Sequence, residues 1–298
     1  MKTSFTEIKI RAGLPLTRFM QGYLPLSAAN RLIKLGSARV QLDGDVTRES
    51  VDANGVPCEW IITQHSQADR VLLYLHGGGF VFGLTPPHLK MGAYLAKKLA
   101  MRVLMVDYRT APQYPFPAAL EDCTAVYLWL INQGISAQQI AVAGDSAGGN
   151  LTITMMMKLR DENHSLPAAA ACLSPVTDLT PREKRQGFND PLLSPRAVKF
   201  YNRSYIADHD PHDPLISPVF GSLHDLPPML IHAGDQETLR EDALRITDIA
   251  KSAGVDVHLE IYPRMWHVWQ LYLSLPQAVQ SLDDIAQFTK SRLGFGAQ

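Results

Sequence analysis

A serine flanked by glycines lies near the middle of the chain, in Gly144–Gly149, which reads Gly-Asp-Ser-Ala-Gly-Gly. A short apolar run, 139–143, precedes this segment, and a helical pattern, 151–159, follows it. The sequence therefore predicts a strand, a tight turn and a helix, the setting of a nucleophile elbow that exposes the Ser146 hydroxyl. A plain glycine-rich turn is the alternative for so short a motif, but the flanking strand and helix favour the elbow.

A second glycine-rich segment, His76–Gly79, directly follows the apolar run 71–75, which is typical of a strand buried on both faces. Backbone N–H groups of successive glycines, like those at a helix N-terminus, can converge on a negative charge. A phosphate loop is a weaker alternative, because such loops continue with Lys and Ser or Thr, whereas this one continues with Phe80. We predict that the oxyanion of an acyl-transfer reaction is bound by Gly77, Gly78, Gly79 and Ala147.

A serine hydroxyl needs a base before it can act as a nucleophile, and histidine is the usual choice. Of the ten histidines, we predict His267 as the base. It follows a predicted strand, at the carboxyl edge where open α/β sheets place their sites. It also comes last in chain order, as the base does in enzymes with a nucleophile elbow. His76 belongs to the glycine loop. The other histidines are predicted to be solvated, to cap helices or to lie in strands: His65, His88, His164, His209, His212, His224, His232 and His258.

Strand-like and helix-like segments alternate along most of the chain. Strands are predicted at 51–62, 70–75, 102–106, 139–143, 168–173, 229–233 and 257–261. Helices are predicted between or after them, including 88–100 and 118–133. This alternation predicts an α/β fold with a mostly parallel central sheet and helices on both faces.

Two segments do not fit the alternation. Residues 1–45 look helical, and 178–215 carries many charges and prolines without a strand-like run. A connection as long as the second is usually functional or disordered, and the helical pattern at 194–205 argues against disorder. We predict that both segments form a cap over the active site of a catalytic domain that spans 46–298.

Composition narrows the function classes. The 298 residues include 28 basic and 29 acidic side chains, so no overall field attracts nucleic acid or an anionic membrane. Three widely spaced cysteines form no metal or redox motif. No apolar run approaches the ~20 residues needed to span a bilayer, and no signal peptide is recognisable. We expect a cytoplasmic protein without membrane insertion that acts on a small molecule, with a homodimer left open.

Four motifs together resemble the hormone-sensitive-lipase-like esterases, the bacterial family IV of the α/β-hydrolases. They occur in the family's order and approximate spacing, from about residue 50 to the end of the chain. The resemblance implies an α/β-hydrolase fold with a helical cap. It also implies hydrolysis of short-chain carboxylic esters through an acyl-enzyme, with no metal or organic cofactor. The motifs are His76–Gly79, Asp107–Pro112 with Phe116–Ala118, Gly144–Gly149, and Leu226–Gly234 ahead of His267.

The carboxylate of a Ser-His-Glu triad is predicted to be Glu237, with Asp235 as the alternative. Many members of the family carry Asp in an Asp-x-Leu-x-Asp/Glu pattern, and the matching segment here is Glu237–Asp242. Asp235 adjoins the end of the predicted strand 229–233 and is suited to capping the next helix. Register with the family pattern therefore favours Glu237.

Aromatic side chains are expected to form the pocket walls, although packing in the core is equally compatible with each of them. The same site could serve an amidase or a deacetylase of a specific small molecule. A non-catalytic ligand-binding protein on this scaffold is the alternative from another class, but such proteins lack the histidine that is present at His267. The predicted pocket residues are Phe80, Phe82, Phe200, Tyr201 and Trp266.

Overall fold

The computed structural model describes residues 5–21, 25–181 and 190–294 of the chain. Within these ranges, eight strands form a single sheet. In chain order they are β1 Val46–Ala53, β2 Val56–Thr63, β3 Gln67–Leu75, β4 Met101–Val106, β5 Ile140–Asp145, β6 Ala169–Leu173, β7 Met229–Gly234 and β8 Val257–Tyr262. The α-helices of the same ranges are α1 Phe5–Met20, α2 Leu26–Ala38, α3 Pro86–Leu99, α4 Ala118–Asn132, α5 Ala147–Asp161, α6 Pro195–Ile206, α7 Arg240–Ser252 and α8 Pro276–Arg292.

The strands follow the order β1-β2-β4-β3-β5-β6-β7-β8 across the sheet. Neighbouring strands from β4 to β8 are parallel, whereas β1 and β2 form an antiparallel hairpin at one edge. The predicted α/β fold with a mostly parallel sheet is confirmed. The single strand predicted over 51–62 is wrong, because Asn54 and Gly55 adopt positive φ angles of 58° and 87° and reverse the chain.

Helices cover both faces of the sheet, as alternate residues of β3 indicate. Leu72 and Tyr74 belong to a buried cluster that includes residues of α3 and α8. Leu73 and Leu75 belong to a second cluster, which includes residues of α4 and α5. A strand buried on both faces must be apolar at successive positions, which explains the unbroken apolar run in β3.

The three central strands end at the same edge of the sheet. β3 and β5 are paired in parallel register, and so are β5 and β6. The loops that follow these strands therefore begin side by side, at His76, Ser146 and Ser174. This carboxyl edge is where open α/β sheets bind their ligands.

Three helices, α1, α2 and α6, lie within the predicted cap segments 1–45 and 178–215. Residues 182–189 of the second segment lie outside the described residues. The N–H of Ser194 donates to the side-chain oxygen of Gln21 at 3.0 Å, which joins the end of α1 to the start of α6. The division into cap and catalytic domain stays a prediction. No helix within the described ranges is both long enough and apolar enough to cross a bilayer.

Candidate active site

Ser146 joins β5 to α5 in a strained turn. Its φ is 53° and its ψ is −114°, a conformation that costs free energy for a residue with a Cβ. A Cβ at Gly144 would clash with the backbone of Gly148, and one at Gly148 would clash with the backbone of Leu75. The N–H of Ser146 donates to the carbonyl of Leu173 at 2.8 Å. Close backbone approach therefore requires both glycines, as the elbow prediction implies.

Ser146, His267 and Glu237 form one hydrogen-bonded row. His267 Nε2 lies 2.9 Å from Ser146 Oγ, and His267 Nδ1 lies 3.0 Å from Glu237 Oε2. Both His267 and Glu237 are buried. With Nδ1–H donating to the carboxylate, Nε2 is left to accept the serine proton. This is the geometry that a base needs in order to activate a serine hydroxyl.

Burial and charge oppose each other in the His267–Glu237 pair. Burial lowers the pKa of the His267 imidazole, but the hydrogen bond and charge of Glu237 raise it more, so this pKa stands above its ordinary value. Burial raises the pKa of the Glu237 carboxyl above its ordinary value, and the bond to His267 offsets only part of that rise. Ionised Glu237 therefore favours the imidazolium, the species that forms when His267 takes a proton from serine.

The Glu237 carboxylate is held by one further hydrogen bond, in which the N–H of Gly234 donates to Glu237 Oε1 at 3.1 Å. The buried Ser174, which follows β6, lies close enough to the Glu237 carboxyl to lower its pKa. Ser174 Oγ in turn accepts the N–H of Val268 at 3.3 Å. Ser174 thus links the acid to the loop that carries His267. Sequence reasoning missed this link, because a serine after a strand has no distinguishing pattern.

Asp235, the alternative acid, contacts a different part of the same loop. Its Oδ1 accepts the N–H of Arg264 at 2.5 Å, in the turn that precedes His267. α7 begins only at Arg240, with Leu239 as its N-cap residue. The predicted capping role of Asp235 is therefore wrong, because the helix starts five residues further on and the carboxylate is bound to the neighbouring turn.

The glycine loop after β3 faces the cavity over Ser146 with its backbone. Gly78 and Gly79 have φ angles of 127° and 61°, and a Cβ at Gly79 would clash with the ring of Tyr201. Both glycines line the cavity. Among the described residues, no acceptor takes their N–H groups or that of Ala147, the first residue of α5. These three N–H groups are therefore able to donate to an oxyanion.

Gly77 differs from the other glycines of the loop, because a buried carboxylate holds its N–H. Asp145 Oδ1 accepts this N–H at 2.9 Å and the Tyr74 hydroxyl at 2.8 Å. Asp145 Oδ2 lies 3.3 Å from His88 Nε2, and the other ring nitrogen of His88 lies 2.6 Å from Thr85 Oγ1. The structure thus contradicts the prediction that Gly77 donates to the oxyanion.

This network around Asp145 was not predicted. Burial raises the pKa of the Asp145 carboxyl, but the charge and hydrogen bond of His88, with the bonds from Tyr74 and Gly77, lower it more. The pKa therefore stands below its ordinary value. His88 is buried, so the solvated alternative for it is wrong. The sequence did contain a signal for this network. Asp145 lies between a predicted buried strand and the predicted nucleophile, and a buried charge requires partners.

A cavity of about 370 Å³ opens over Ser146 and His267. Three of the predicted aromatic residues line it: Phe80, Phe82 and Tyr201. The Phe80 ring stacks on Tyr205 at 3.7 Å between centroids, and Phe82 meets Tyr201 edge-on at 5.4 Å. These ring contacts fix the shape of the apolar wall.

The other two aromatic predictions are contradicted. Phe200 is 46% exposed, because it precedes the inward-facing Tyr201 on α6 and one residue turns a helix by about 100°. Trp266 is fully buried within the loop that carries His267, with the Arg11 guanidinium 5.0 Å from its ring and Tyr272 edge-on at 5.7 Å. Neither residue lines the cavity over Ser146.

Polar residues of the second cap segment contact the loop that carries Glu237. Asp190, which is 1% exposed, accepts the N–H of Thr238 at 3.0 Å, next to Glu237. Thr238 and Asn202 also line the cavity.

In the described parts of the chain, no three His, Cys, Asp or Glu side chains are grouped as metal ligands would be.

Known proteins are similar to this chain in sequence. Residues 72–271 match a protein family described by the alpha/beta hydrolase fold. An acetyl-hydrolase of Streptomyces hygroscopicus is 37% identical over 246 residues, which cover 80% of this chain and 81% of the relative. An esterase of Acinetobacter venetianus is 36% identical over 242 residues, which cover 80% of each protein.

Similarity to solved structures shows which group within this family the chain belongs to. An esterase from the bacterial hormone-sensitive lipase family superposes with a TM-score of 0.90 at 37% identity, covering 99% of this chain and 100% of that one. The sheet topology and the family match together show that the chain is an α/β-hydrolase. More narrowly, the chain belongs to the bacterial hormone-sensitive lipase family of esterases, as its motifs imply, and it is a carboxylic ester hydrolase.

Proposed function

We propose that Ser146, His267 and Glu237 are the catalytic triad of a carboxylesterase that acts on short-chain acyl esters. The observation that carries this proposal is the His267 ring, whose two nitrogens lie 2.9 Å from Ser146 Oγ and 3.0 Å from Glu237 Oε2. Gly78, Gly79 and Ala147 are the proposed oxyanion donors. Gly78 and Gly79 line the cavity over Ser146, and Ala147 directly follows Ser146 as the first residue of α5, which supports this role.

The proposed reaction has two halves. Ser146 Oγ attacks the ester carbonyl carbon while His267 Nε2 takes the hydroxyl proton, and the backbone donors bind the oxyanion. The tetrahedral intermediate then collapses, and the leaving alcohol takes the proton from His267 while the acyl group stays on Ser146. Water attacks this acyl-enzyme with His267 again as base, which releases the carboxylic acid and restores the serine.

The family resemblance implies acyl chains of about two to eight carbons, and the lining of the cavity is compatible with an apolar acyl group. The cavity of about 370 Å³ has aromatic walls from Phe80, Phe82 and Tyr201. A panel of p-nitrophenyl esters of increasing acyl length, run beside matched anilides, tests the proposal. We expect the highest kcat/KM among the short esters and slow turnover of anilides. A maximum at about twelve carbons or more, with activation at an oil interface, would refute the short-chain assignment.

Deacetylation of a specific small molecule is the second candidate function. The name of the Streptomyces relative, acetyl-hydrolase, favours it, and the polar side chains of Asn202 and Thr238 offer contacts for an alcohol group beside the apolar wall. Acetate release from a set of acetylated alcohols distinguishes this candidate, because a dedicated deacetylase would prefer one alcohol strongly over p-nitrophenol.

A cytoplasmic location, a homodimer and the lack of a nucleic acid partner stay predictions from the sequence.

A further inference from the structure

Exposed apolar side chains are concentrated on the three helices of the predicted cap. Nine large hydrophobic residues are exposed within the described ranges, and seven of them lie on α1, α2 and α6. Only Tyr114 and Phe220 lie elsewhere. A cluster of this kind on one part of a surface marks an interaction site more often than scattered exposed residues do.

On α1 these residues follow the helical period. Phe5, Ile8, Leu16 and Phe19 are 71%, 53%, 64% and 65% exposed, and on a helical wheel they share an arc of about 80°. Leu14, which is 1% exposed, lies on the opposite side of the helix. One side of α1 therefore packs on the protein, while the other presents an apolar stripe to solvent.

All three helices reach the cavity over the active site. Thr17 of α1, Ile33 of α2 and Tyr201 of α6 all line the cavity over Ser146. On the outside, Phe19 and Arg196 line a shallow groove between α1 and α6. We call the exposed side chains of α1, α2 and α6 the outer cap face.

The outer cap face is basic, although the whole chain is nearly neutral. The three helices contain eight basic residues and a single acidic one, Glu7. Glu7 is 1% exposed and is paired with Arg11 and Arg264, so it contributes no negative charge at the surface. The exposed basic residues include Lys9, Arg31, Lys34, Lys199 and Arg203.

We propose that the outer cap face binds the surface of a membrane that contains anionic lipids. Amphipathic helices with Phe, Leu and Ile on one face and Lys or Arg beside them lie in the plane of the interface, with the apolar side chains at the headgroup boundary. The basic side chains then lie close to the lipid phosphates. A second copy of the chain fits less well, because two outer cap faces would bring like charges together.

Co-sedimentation with vesicles tests the proposal on the full-length protein. One set of vesicles contains phosphatidylcholine alone, and the other contains phosphatidylcholine mixed with phosphatidylglycerol. We expect binding to the mixed vesicles, much weaker binding to phosphatidylcholine, and release of the protein as the salt concentration rises.

Two double variants separate the electrostatic and apolar contributions. Arg31→Gln with Lys34→Gln should weaken binding to the mixed vesicles about thirtyfold, which corresponds to ~1 kcal/mol for each lost charge. Leu16→Ser with Phe19→Ser should weaken it about tenfold or more, since binding scales with the apolar area buried. The matched control, Tyr114→Ser with Phe220→Ser, removes exposed aromatic residues outside the cap helices and should bind as the wild type does.

Hydrolysis of a water-soluble ester checks that each variant is folded, because none of the substituted residues lines the cavity over Ser146. The proposal is overturned if the wild-type protein does not bind the mixed vesicles or binds both kinds of vesicle equally. It is also overturned if the substitutions on the cap helices leave vesicle binding unchanged. A concentration-dependent dimer that Leu16→Ser with Phe19→Ser abolishes, without vesicle binding by the wild type, would identify the outer cap face as a contact between copies instead.

Discussion

Glu237 and Asp235 lie two residues apart and make different contacts, so their amide variants form a matched pair. Glu237→Gln removes the charge that holds the His267 tautomer, and we expect kcat to fall by up to ~10⁴ with little change in Tm. Asp235→Asn weakens only the hydrogen bond to the Arg264 N–H, so kcat should stay near the wild-type value with a stability loss of about 1 kcal/mol. Steady-state kinetics and thermal unfolding measure both effects. Equal losses of kcat in the two variants would contradict the assignment of the acid.

The pH profile follows from the raised pKa of His267. The base must be neutral to accept the serine proton, so kcat/KM should fall as pH decreases through the pKa of His267, which lies above its ordinary value of 6.5. Glu237 is the group whose hydrogen bond and charge raise this pKa, so the residual activity of Glu237→Gln should fall at a lower pH than that of the wild type. An unchanged acid limb in that variant would show that another group controls the profile.

Asp145 is expected to act through the glycine loop and not through substrate contact. Asp145→Ala removes the acceptor of the Gly77 N–H and leaves His88 and Tyr74 without their buried partner. We expect kcat to fall on the order of 10² with a much smaller change in KM, because misplaced oxyanion donors affect mainly the transition state. Tyr74→Phe, which removes one bond of the same network, should cost about 1 kcal/mol of stability and less activity. A KM increase without a kcat loss in Asp145→Ala would refute this interpretation.

Among the secondary structure elements, α1 is the one whose contribution is easiest to isolate. Leu14 is packed in a cluster with Tyr262, Met265 and Trp266, beneath the loop of His267. Leu14→Ala should cost ~2–5 kcal/mol in urea unfolding and should lower kcat as well. The control on the same helix is Leu16→Ala, which should change stability by no more than ~0.5 kcal/mol because that side chain is exposed. Similar losses in both variants would contradict the packing of α1 on the loop.

Sequence patterns predicted the central elements well, since parallel strands buried on both faces have unbroken apolar runs. The β1–β2 hairpin was missed although Asn54-Gly55 is a strong turn signal, because apolar residues continue on both sides of it. The orientation of Phe200 and Trp266 was also beyond the sequence, because aromatic residues fit a pocket wall, a core or an exposed face equally well.

For the whole molecule, the motifs could be predicted to converge because parallel strands bring their carboxyl ends to one edge. That reasoning placed Ser146, the glycine loop and His267 together, and the family pattern placed Glu237 with them. The buried polar residues that connect these motifs, Asp145 and Ser174 above all, could not be assigned in this way. Their partners come from distant parts of the chain, and only the folded structure brings those parts together.

Covalent labelling tests the central claim most directly. An organophosphonate that mimics the tetrahedral intermediate should react with the purified protein once, and mass spectrometry of the digested adduct should place the label on Ser146. Ser146→Ala should keep the wild-type Tm within a few degrees, take up no label, and lose ester hydrolysis by a factor on the order of 10⁶. A label on any other residue, or substantial turnover by Ser146→Ala, would contradict the proposed triad.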